Sequence, residues 1–245
     1  MVAFICLGQN VKAQTNPTQR DWFIAGSGLG VAVGLELFGK DHLLPDRPRW
    51  INTNSVDGLM RGFIYKDVKR QELAERWSDR LLYGVSMSSL LWGPALADEH
   101  ESAALINTEV FAVNSIITNL IKITTARERP YSHFGTTASR GTVDYASFVS
   151  GHSSVAFSQA VSNAIILSKY HPQNKELIWS SLLSIAGCTA YLRVAGDMHY
   201  FSDVTVGAAL GSIIAWVITK NELKRFQDDS GSNIDFTLSL KIPLG

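Results

Sequence analysis

Residues 192–219 read LRVAGDMHYFSDVTVGAALGSIIAWVIT, and this stretch holds both features on which the fold depends. Its first part carries an arginine, a histidine and two aspartates at close spacing, whereas residues 204–219 carry no charged side chain. An uncharged segment of this length is too long for an ordinary strand and predicts a helix. A polar patch next to a long apolar segment recurs along the chain.

Five further segments share this apolar character. They are Trp22–Phe38, Leu81–Ala97, Ala103–Ile121, Ser153–Ser168 and Leu177–Leu192, and Glu36 and Glu109 are their only acidic or basic residues. Each reaches or falls just short of the roughly 17–25 residues that cross a bilayer. The sequence therefore predicts an all-α fold, a bundle of about six apolar helices that crosses a membrane. A buried helical bundle in a soluble protein is the alternative.

Glycine spacing favours the membrane. Gly26, Gly30 and Gly34 recur at every fourth residue, as do Gly207 and Gly211. Such faces of small residues let helix backbones approach closely in lipid, whereas a glycine inside a water-soluble helix costs about 1 kcal/mol relative to alanine. Tight packing in a soluble bundle would explain the same pattern.

The composition excludes several classes of protein. The chain has 245 residues with 22 basic and 22 acidic side chains, so its charge does not fit a strongly basic nucleic-acid binder. Its two cysteines exclude a disulfide scaffold and a cysteine-based structural zinc site. Only 18% of the residues are charged, which agrees with long uncharged segments.

Three regions follow from these patterns: 1–20, a helical domain over 21–226, and a tail over 227–245. Residues 1–14 resemble the end of a secretory signal without its basic region, so this stretch is either a cleaved signal or an apolar N-terminus. In the tail, apolar and polar residues alternate, which predicts a short strand. The alternating apolar residues are Phe236, Leu238, Leu240, Ile242 and Leu244.

A long polar stretch, Lys40 to Arg80, separates the first two apolar segments and holds nine lysines and arginines. The spacing within it predicts an amphipathic helix around Val68–Trp77. This helix would lie at a membrane surface, or it would form part of a solvated helical hairpin.

The most informative polar residues lie at the ends of the last four apolar segments. In an up-and-down bundle, the end of the third segment and the start of the fourth lie at one pole. The end of the fifth and the start of the sixth lie at that same pole. Four separate patches of sequence are therefore expected to meet there, and their polar residues are Lys122, Arg129, Ser150, Gly151, His152, Arg193, His199 and Asp203.

This set of residues suits a phosphate group. Lys122, Arg129 and Arg193 supply cations, and the planar fork of arginine matches phosphate oxygens. Ser150 and Gly151 lie at a predicted helix N-terminus, where free N–H groups and the helix dipole favour an anion.

Spacing also suggests roles for the titratable side chains. His199 and Asp203 are four residues apart, so a helical turn would place them on one face. A carboxylate that binds one imidazole nitrogen leaves the other free to act as a nucleophile or base. His152, from another helix, would then be the general acid.

Together these blocks resemble the signature of the type 2 phosphatidic acid phosphatase (PAP2) superfamily, which also contains vanadium haloperoxidases and bacterial nonspecific acid phosphatases. The family block K-x6-R-P is matched by Lys122, Arg129 and Pro130, P-S-G-H by Ser150, Gly151 and His152, and S-R-x5-H-x3-D by Arg193, His199 and Asp203. Val149 replaces the family's proline and Leu192 its serine, and both departures concern residues that shape the loops.

The resemblance implies a mechanism without a metal or other cofactor. His199 would attack phosphorus and form a phosphohistidine, Asp203 would orient His199, and His152 would protonate the leaving group. The three cations, the Ser150 hydroxyl and the Gly151 amide would hold the phosphoryl oxygens. Vanadate, a mimic of five-coordinate phosphorus, is expected to inhibit.

The expected substrate is a phosphomonoester or pyrophosphate of a membrane lipid, and neither nucleic acid nor a metal is an expected partner. A soluble periplasmic acid phosphatase, a vanadate-dependent haloperoxidase and a non-enzymatic anion binder are the alternatives. The relatives imply a pocket that faces the periplasm or exterior. Short positive segments on the side of the termini agree with this orientation, whereas the positive charges of Lys40 to Arg80 oppose it.

Overall fold

The computed structural model describes residues 16–39 and 42–227, which form helices joined by short loops. The first helices are α1 (Gln19–Gly34, continued by the π-helical Leu35–Gly39), α2 (Ser55–Ile64) and α3 (Val68–Met87, continued by Ser88–Trp92 and Gly93–Ala95). They are followed by α4 (His100–Thr125), α5 (Pro130–His133), α6 (Gly151–Tyr170), α7 (Lys175–Ala195) and α8 (Phe201–Gln227). Two 3-10 turns, Gly141–Tyr145 and Pro172–Asn174, lie before α6 and α7. In the described ranges the only β-type pairing is an isolated bridge between Trp50 and Arg127, so the predicted all-α class is confirmed there.

Four helical segments are long and apolar enough to cross a membrane: Gln19–Gly39, His100–Thr125, Pro172–Ala195 and Phe201–Phe226. Large apolar side chains point outward along them, as Phe23 does in α1 (76% exposed) and Ile213 in α8 (61% exposed). A lipid environment would cover such a surface, which a soluble bundle would leave in water. The exposed apolar surface of these helices therefore indicates a membrane protein.

The predicted number of about six apolar helices is not confirmed. Leu81–Ala97 and Ser153–Ser168 are helical, but the helices that contain them are not among the four segments. The first half of α3 is charged, and Pro94 interrupts the apolar part that follows. Helix α6 is rich in serine and carries Gln159 and Asn163, which lowers its hydropathy.

Helix α6 lies at the centre of the bundle, where it packs against α3, α4, α7 and α8. Several of its polar side chains form hydrogen bonds with neighbouring helices. Asn107 of α4 donates to Asn163 of α6 and to the Ser89 carbonyl of the α3 extension. Ser162 donates to Asn107 at 2.7 Å and accepts from Thr219 of α8 at 3.0 Å. This network joins the extension of α3 to α4, α6 and α8, and the last three helices carry predicted site residues.

The two series of glycines differ in how closely other residues approach them. Gly207 and Gly211 of α8 face the backbone of α6, so closely that an added Cβ at Gly207 would lie 2.7 Å from the Ser150 carbonyl oxygen. At Gly26, Gly30 and Gly34 an added Cβ would meet nothing within 4 Å. Close backbone packing thus explains the series in α8, whereas the series in α1 faces open space.

The predicted amphipathic helix exists as the first half of α3, which begins after the N-cap Asp67. Its position at a membrane surface stays a prediction. Three ion pairs hold the long polar stretch against one pole of the bundle. They are Arg61–Asp197 at 2.6 Å, Arg127–Asp57 at 2.7 Å and Arg140–Glu75 at 2.5 Å.

The terminal segments predicted from the sequence fall largely outside the described residues. The signal-like stretch 1–14 and the alternating segment of the tail both lie there. The three-region division of the chain therefore stays a prediction.

Candidate active site

The four patches of sequence meet at one pole of the bundle. The Ser150 amide at the start of α6 donates to the Asp203 carbonyl in the first turn of α8 at 3.1 Å. The Ser147 amide donates to the carbonyl of Arg127, just after α4, at 3.0 Å. The Tyr131 amide donates to the carbonyl of Asp197, just after α7, at 3.0 Å. The local backbone therefore holds the ends of α4, α6, α7 and α8 together.

The three predicted cations are buried at this pole. Lys122, Arg129 and Arg193 are only 4%, 7% and 3% exposed. Lys122 Nζ donates to the Ala146 carbonyl at 2.8 Å, and Arg129 Nε donates to the Val143 carbonyl at 2.9 Å. Because buried charge is costly unless it is compensated, a group of buried cations held partly by neutral carbonyls favours an anionic ligand.

His199 lies among these cations. It is 2% exposed, and its Nδ1 lies 2.7 Å from the Ser147 carbonyl oxygen. A carbonyl oxygen only accepts hydrogen bonds, so Nδ1 carries the hydrogen and Nε2 keeps its lone pair. Burial, reinforced by the charges on Arg129, Lys122 and Arg193, holds the pKa of His199 well below its ordinary value. The imidazole is therefore neutral and able to act as a nucleophile at neutral pH.

The direct bond expected between Asp203 and His199 is replaced by an indirect connection. The closest approach, from Asp203 Oδ2 to His199 Nδ1, is 3.8 Å. Asp203 Oδ1 accepts from Arg127 at 2.5 Å, while Oδ2 accepts from the Ser147 hydroxyl at 2.5 Å and the Tyr200 amide at 2.9 Å. Because both oxygens are engaged elsewhere, Asp203 holds the Ser147 segment, and the Ser147 carbonyl holds His199.

Arg127 is a residue whose role the sequence analysis missed. It is 1% exposed, and its guanidinium lies between the rings of Trp50 and Tyr200, 4.1 Å from each ring centroid. Besides Asp203 it binds Asp57 of α2 at 2.7 Å. Its place two residues before Arg129 is a weak signal, because one arginine near a helix end is common on protein surfaces.

His152 has a carboxylate partner that the sequence analysis also missed. Its Nε2 lies 2.8 Å from Asp79 Oδ1 of α3, and the same oxygen lies 3.2 Å from a terminal nitrogen of Arg193. His152 is in the first turn of α6, outside the four candidate membrane segments. Burial and the charge on Arg193 lower its pKa to about 3, against the opposing effect of Asp79.

Ser150 and Gly151 shape the start of α6. Ser150 is fully buried and is the N-cap, with its hydroxyl oxygen accepting from the Ser153 amide at 3.4 Å. A Cβ added at Gly151 would lie 3.5 Å from Lys122 Cε, so the glycine is in contact distance of this cation. The start of α6 and the end of α4 are thus in close contact at the site.

A cavity of about 270 Å³ lies between α3, α6 and α7. Arg80, the residue after Asp79, lies at its rim. The lining is otherwise mainly apolar and includes Leu81, Val85, Ala160, Leu182 and Ile185. This mainly apolar lining suits a hydrocarbon chain more than a polar ligand.

A solved structure and a family of known proteins are similar to this chain. The chain resembles a crystal structure titled the first transmembrane PAP2 type phosphatidylglycerolphosphate phosphatase from Bacillus subtilis. The two chains are 18% identical with a TM-score of 0.47, over 84% of this chain and 98% of the other. The sequence model of the PAP2 superfamily matches residues 103–227, just over half of the chain, and this range includes all eight predicted site residues. The chain therefore belongs to the PAP2 superfamily.

Proposed function

We propose that this chain, a phosphoric ester hydrolase, releases phosphate from a membrane lipid through a phosphohistidine at His199. The observation that carries the proposal is the environment of that ring. A neutral imidazole, oriented by the Ser147 carbonyl with Nε2 available, lies among three buried cations.

In the first step, Nε2 of His199 attacks phosphorus, and the bond from phosphorus to the ester oxygen breaks. That oxygen keeps the electron pair and receives a proton from His152. In the second step, a water molecule attacks phosphorus and gives a proton to His152, and the bond from phosphorus to Nε2 of His199 breaks with its electron pair returning to the ring. Inorganic phosphate leaves, and His199 returns to its neutral form.

The cations stabilise the phosphoryl group as its charge moves during transfer. Lys122, Arg129 and Arg193 are already in place, so little reorganisation is needed when the reaction occurs. Arg193 Nε is buried and has no hydrogen-bond partner among the described residues, so it can donate to a phosphoryl oxygen. The amide of Gly151 and the hydroxyl of Ser150 are the neutral donors of the proposal.

No metal ion is part of the proposed reaction, because fixed cations can supply the charge that phosphoryl transfer needs. Within the described residues, no group of three or more His, Cys, Asp or Glu side chains is arranged to hold a metal ion. Vanadate is the expected inhibitor.

Two features support a lipid substrate. The site lies at the end of a bundle with four segments that can cross a membrane, so a lipid can reach it with its tail in the bilayer. The mainly apolar cavity between α3, α6 and α7, whose lining includes Arg80, offers a place for part of such a tail. We further propose that the site faces the periplasm or exterior.

A phosphate-release assay in detergent tests this function. Purified protein is given phosphorylated lipids and, separately, water-soluble phosphate esters, with His199→Ala as the matched inactive variant. We expect the wild type to release phosphate fastest from a lipid ester, and we expect His199→Ala to be inactive although it folds. Activity on water-soluble esters alone, with extraction from membranes by carbonate, would instead favour a soluble acid phosphatase.

A further inference from the structure

Asp79 lies where two proposed reaction groups meet. One of its oxygens lies within hydrogen-bond distance of both His152, at 2.8 Å, and Arg193, at 3.2 Å. His152 comes from α6 and Arg193 from α7, whereas Asp79 comes from α3, outside the range that the family model matches. Asp79 thus joins the long polar stretch to the catalytic pole.

The chemistry of the contact decides which nitrogen of His152 carries the hydrogen. Partial burial works against ionisation, but the hydrogen bond from His152 and the charge on Arg193 lower the pKa of Asp79. An ionised carboxylate only accepts hydrogen bonds, so His152 Nε2 is the donor. The other nitrogen, Nδ1, is then left for the substrate.

We propose that Asp79 is the positioning residue of the general acid, holding His152 by Nε2 so that Nδ1 delivers the proton to the leaving oxygen. This inference rests on the proposed phosphatase function. When the phosphate is bound and His152 takes up a proton from solvent on Nδ1, Asp79 stabilises the resulting imidazolium. As the phosphorus–oxygen bond breaks, this proton moves to the ester oxygen and His152 becomes neutral again.

The other charged groups around His152 make such a partner necessary. Arg193 from α7 and Lys122 from α4 both disfavour a positive charge on its ring. Asp79 from α3 is the carboxylate that acts in the opposite direction through a direct hydrogen bond. Without it, the partly buried imidazolium would face only positive charges among these neighbours.

The alternative is a purely structural role, in which Asp79 only holds Arg193 in place. The two roles differ in their dependence on the leaving group. An alkoxide needs a proton in order to leave, whereas p-nitrophenolate leaves without one. A loss confined to alkyl esters therefore identifies the acid, while a disturbed phosphate site affects both kinds of ester equally.

The experiment compares kcat/KM for an alkyl phosphate and for p-nitrophenyl phosphate, because kcat/KM reports the step in which the leaving group departs. We expect Asp79→Asn to lower kcat/KM for the alkyl ester by about 10- to 100-fold, less than the full 10²- to 10⁴-fold of general acid catalysis because His152 itself remains, and for the aryl ester by less than about 3-fold. Asp79→Glu keeps the charge and is expected to restore part of the alkyl activity. Equal losses on both esters in either variant would overturn the inference.

Two controls complete the test. Glu72→Gln removes the same charge from α3 at a site that pairs only with Arg76 among the described contacts, and it is expected to change neither ester. In a His152→Ala background, Asp79→Asn is expected to cause no further loss on the alkyl ester. A further 10-fold loss there would also overturn the inference. A wild type inactive on both esters and on lipid phosphates would refute the proposed function itself.

Discussion

The Ser147 carbonyl oxygen accepts a hydrogen bond from His199 Nδ1 at 2.7 Å, closer than any carboxylate approaches that ring among the described contacts. The proposed nucleophile, His199, is therefore oriented by the backbone of the loop before α6. Asp203 acts on His199 indirectly, because its carboxylate binds the Ser147 hydroxyl and Arg127. Its removal should thus affect the stability of the site as well as its rate.

We expect Asp203→Asn to lower the free energy of unfolding by about 3 kcal/mol, because Arg127 and Asp203 are a fully buried pair and the change removes one of its charges. Thermal unfolding in detergent measures this effect. Arg76→Gln, which breaks only an exposed pair with Glu72, is the control and should change stability by less than about 0.5 kcal/mol. An Asp203→Asn protein as stable as the wild type would contradict the indirect arrangement.

The low pKa of His199 predicts how kcat/KM depends on pH. The nucleophile is active above its pKa, so kcat/KM for an aryl phosphate should not fall at pH 6.5 but only at a lower pH. Arg129→Gln removes a positive charge that disfavours the protonated ring, so the pKa of His199 rises and the acid limb moves to higher pH. The same ester is used for both proteins, so its own ionisation cancels. An acid limb that stays in place would show that Arg129 does not influence the nucleophile.

Much of the site could be predicted because its residues lie at fixed places on helices. Lys122 lies in the last turn of α4, His152 in the first turn of α6 and Arg193 in the last turn of α7, so the up-and-down topology alone brings them to one pole. The apolar segments were equally visible as helices. The sequence does not show how many of these helices cross the membrane. Helix α6 has amides such as Asn163 that lower its hydropathy, and these amides bind partners inside the bundle.

The remaining contacts had no local signal in the sequence. Asp79 lies 73 positions before His152, in a stretch with many other charges. The carbonyl that orients His199 belongs to the backbone of Ser147, and a backbone group leaves no trace in residue type. The spacing of four residues predicts a direct bond between Asp203 and His199. It carries no information about Arg127, which binds the carboxylate in the structure.

The proposed chemistry predicts inhibition by vanadate and no effect of a chelator. Vanadate adopts the five-coordinate geometry of the transition state, and it should compete with substrate and bind far more tightly than phosphate. EDTA should leave the rate unchanged, because Lys122, Arg129 and Arg193 supply the positive charge. Inhibition constants from initial rates measure the first effect. Loss of activity with EDTA, restored by a divalent cation, would replace the proposal with a metal-dependent reaction.

The two glycine series allow a matched test of how α8 holds the site. In Gly207→Ala the new methyl group would lie 2.7 Å from the Ser150 carbonyl oxygen, so the start of α6 must move. Overpacking of this kind costs about 1–3 kcal/mol, and a shift near His152 should lower kcat at least 10-fold. Gly30→Ala in α1 meets nothing within 4 Å and should be neutral or more stable by up to about 1 kcal/mol. Thermal unfolding and phosphate release measure both variants in the same detergent. Similar effects of the two substitutions would mean that the close approach of α8 to α6 does not position the catalytic end of α6.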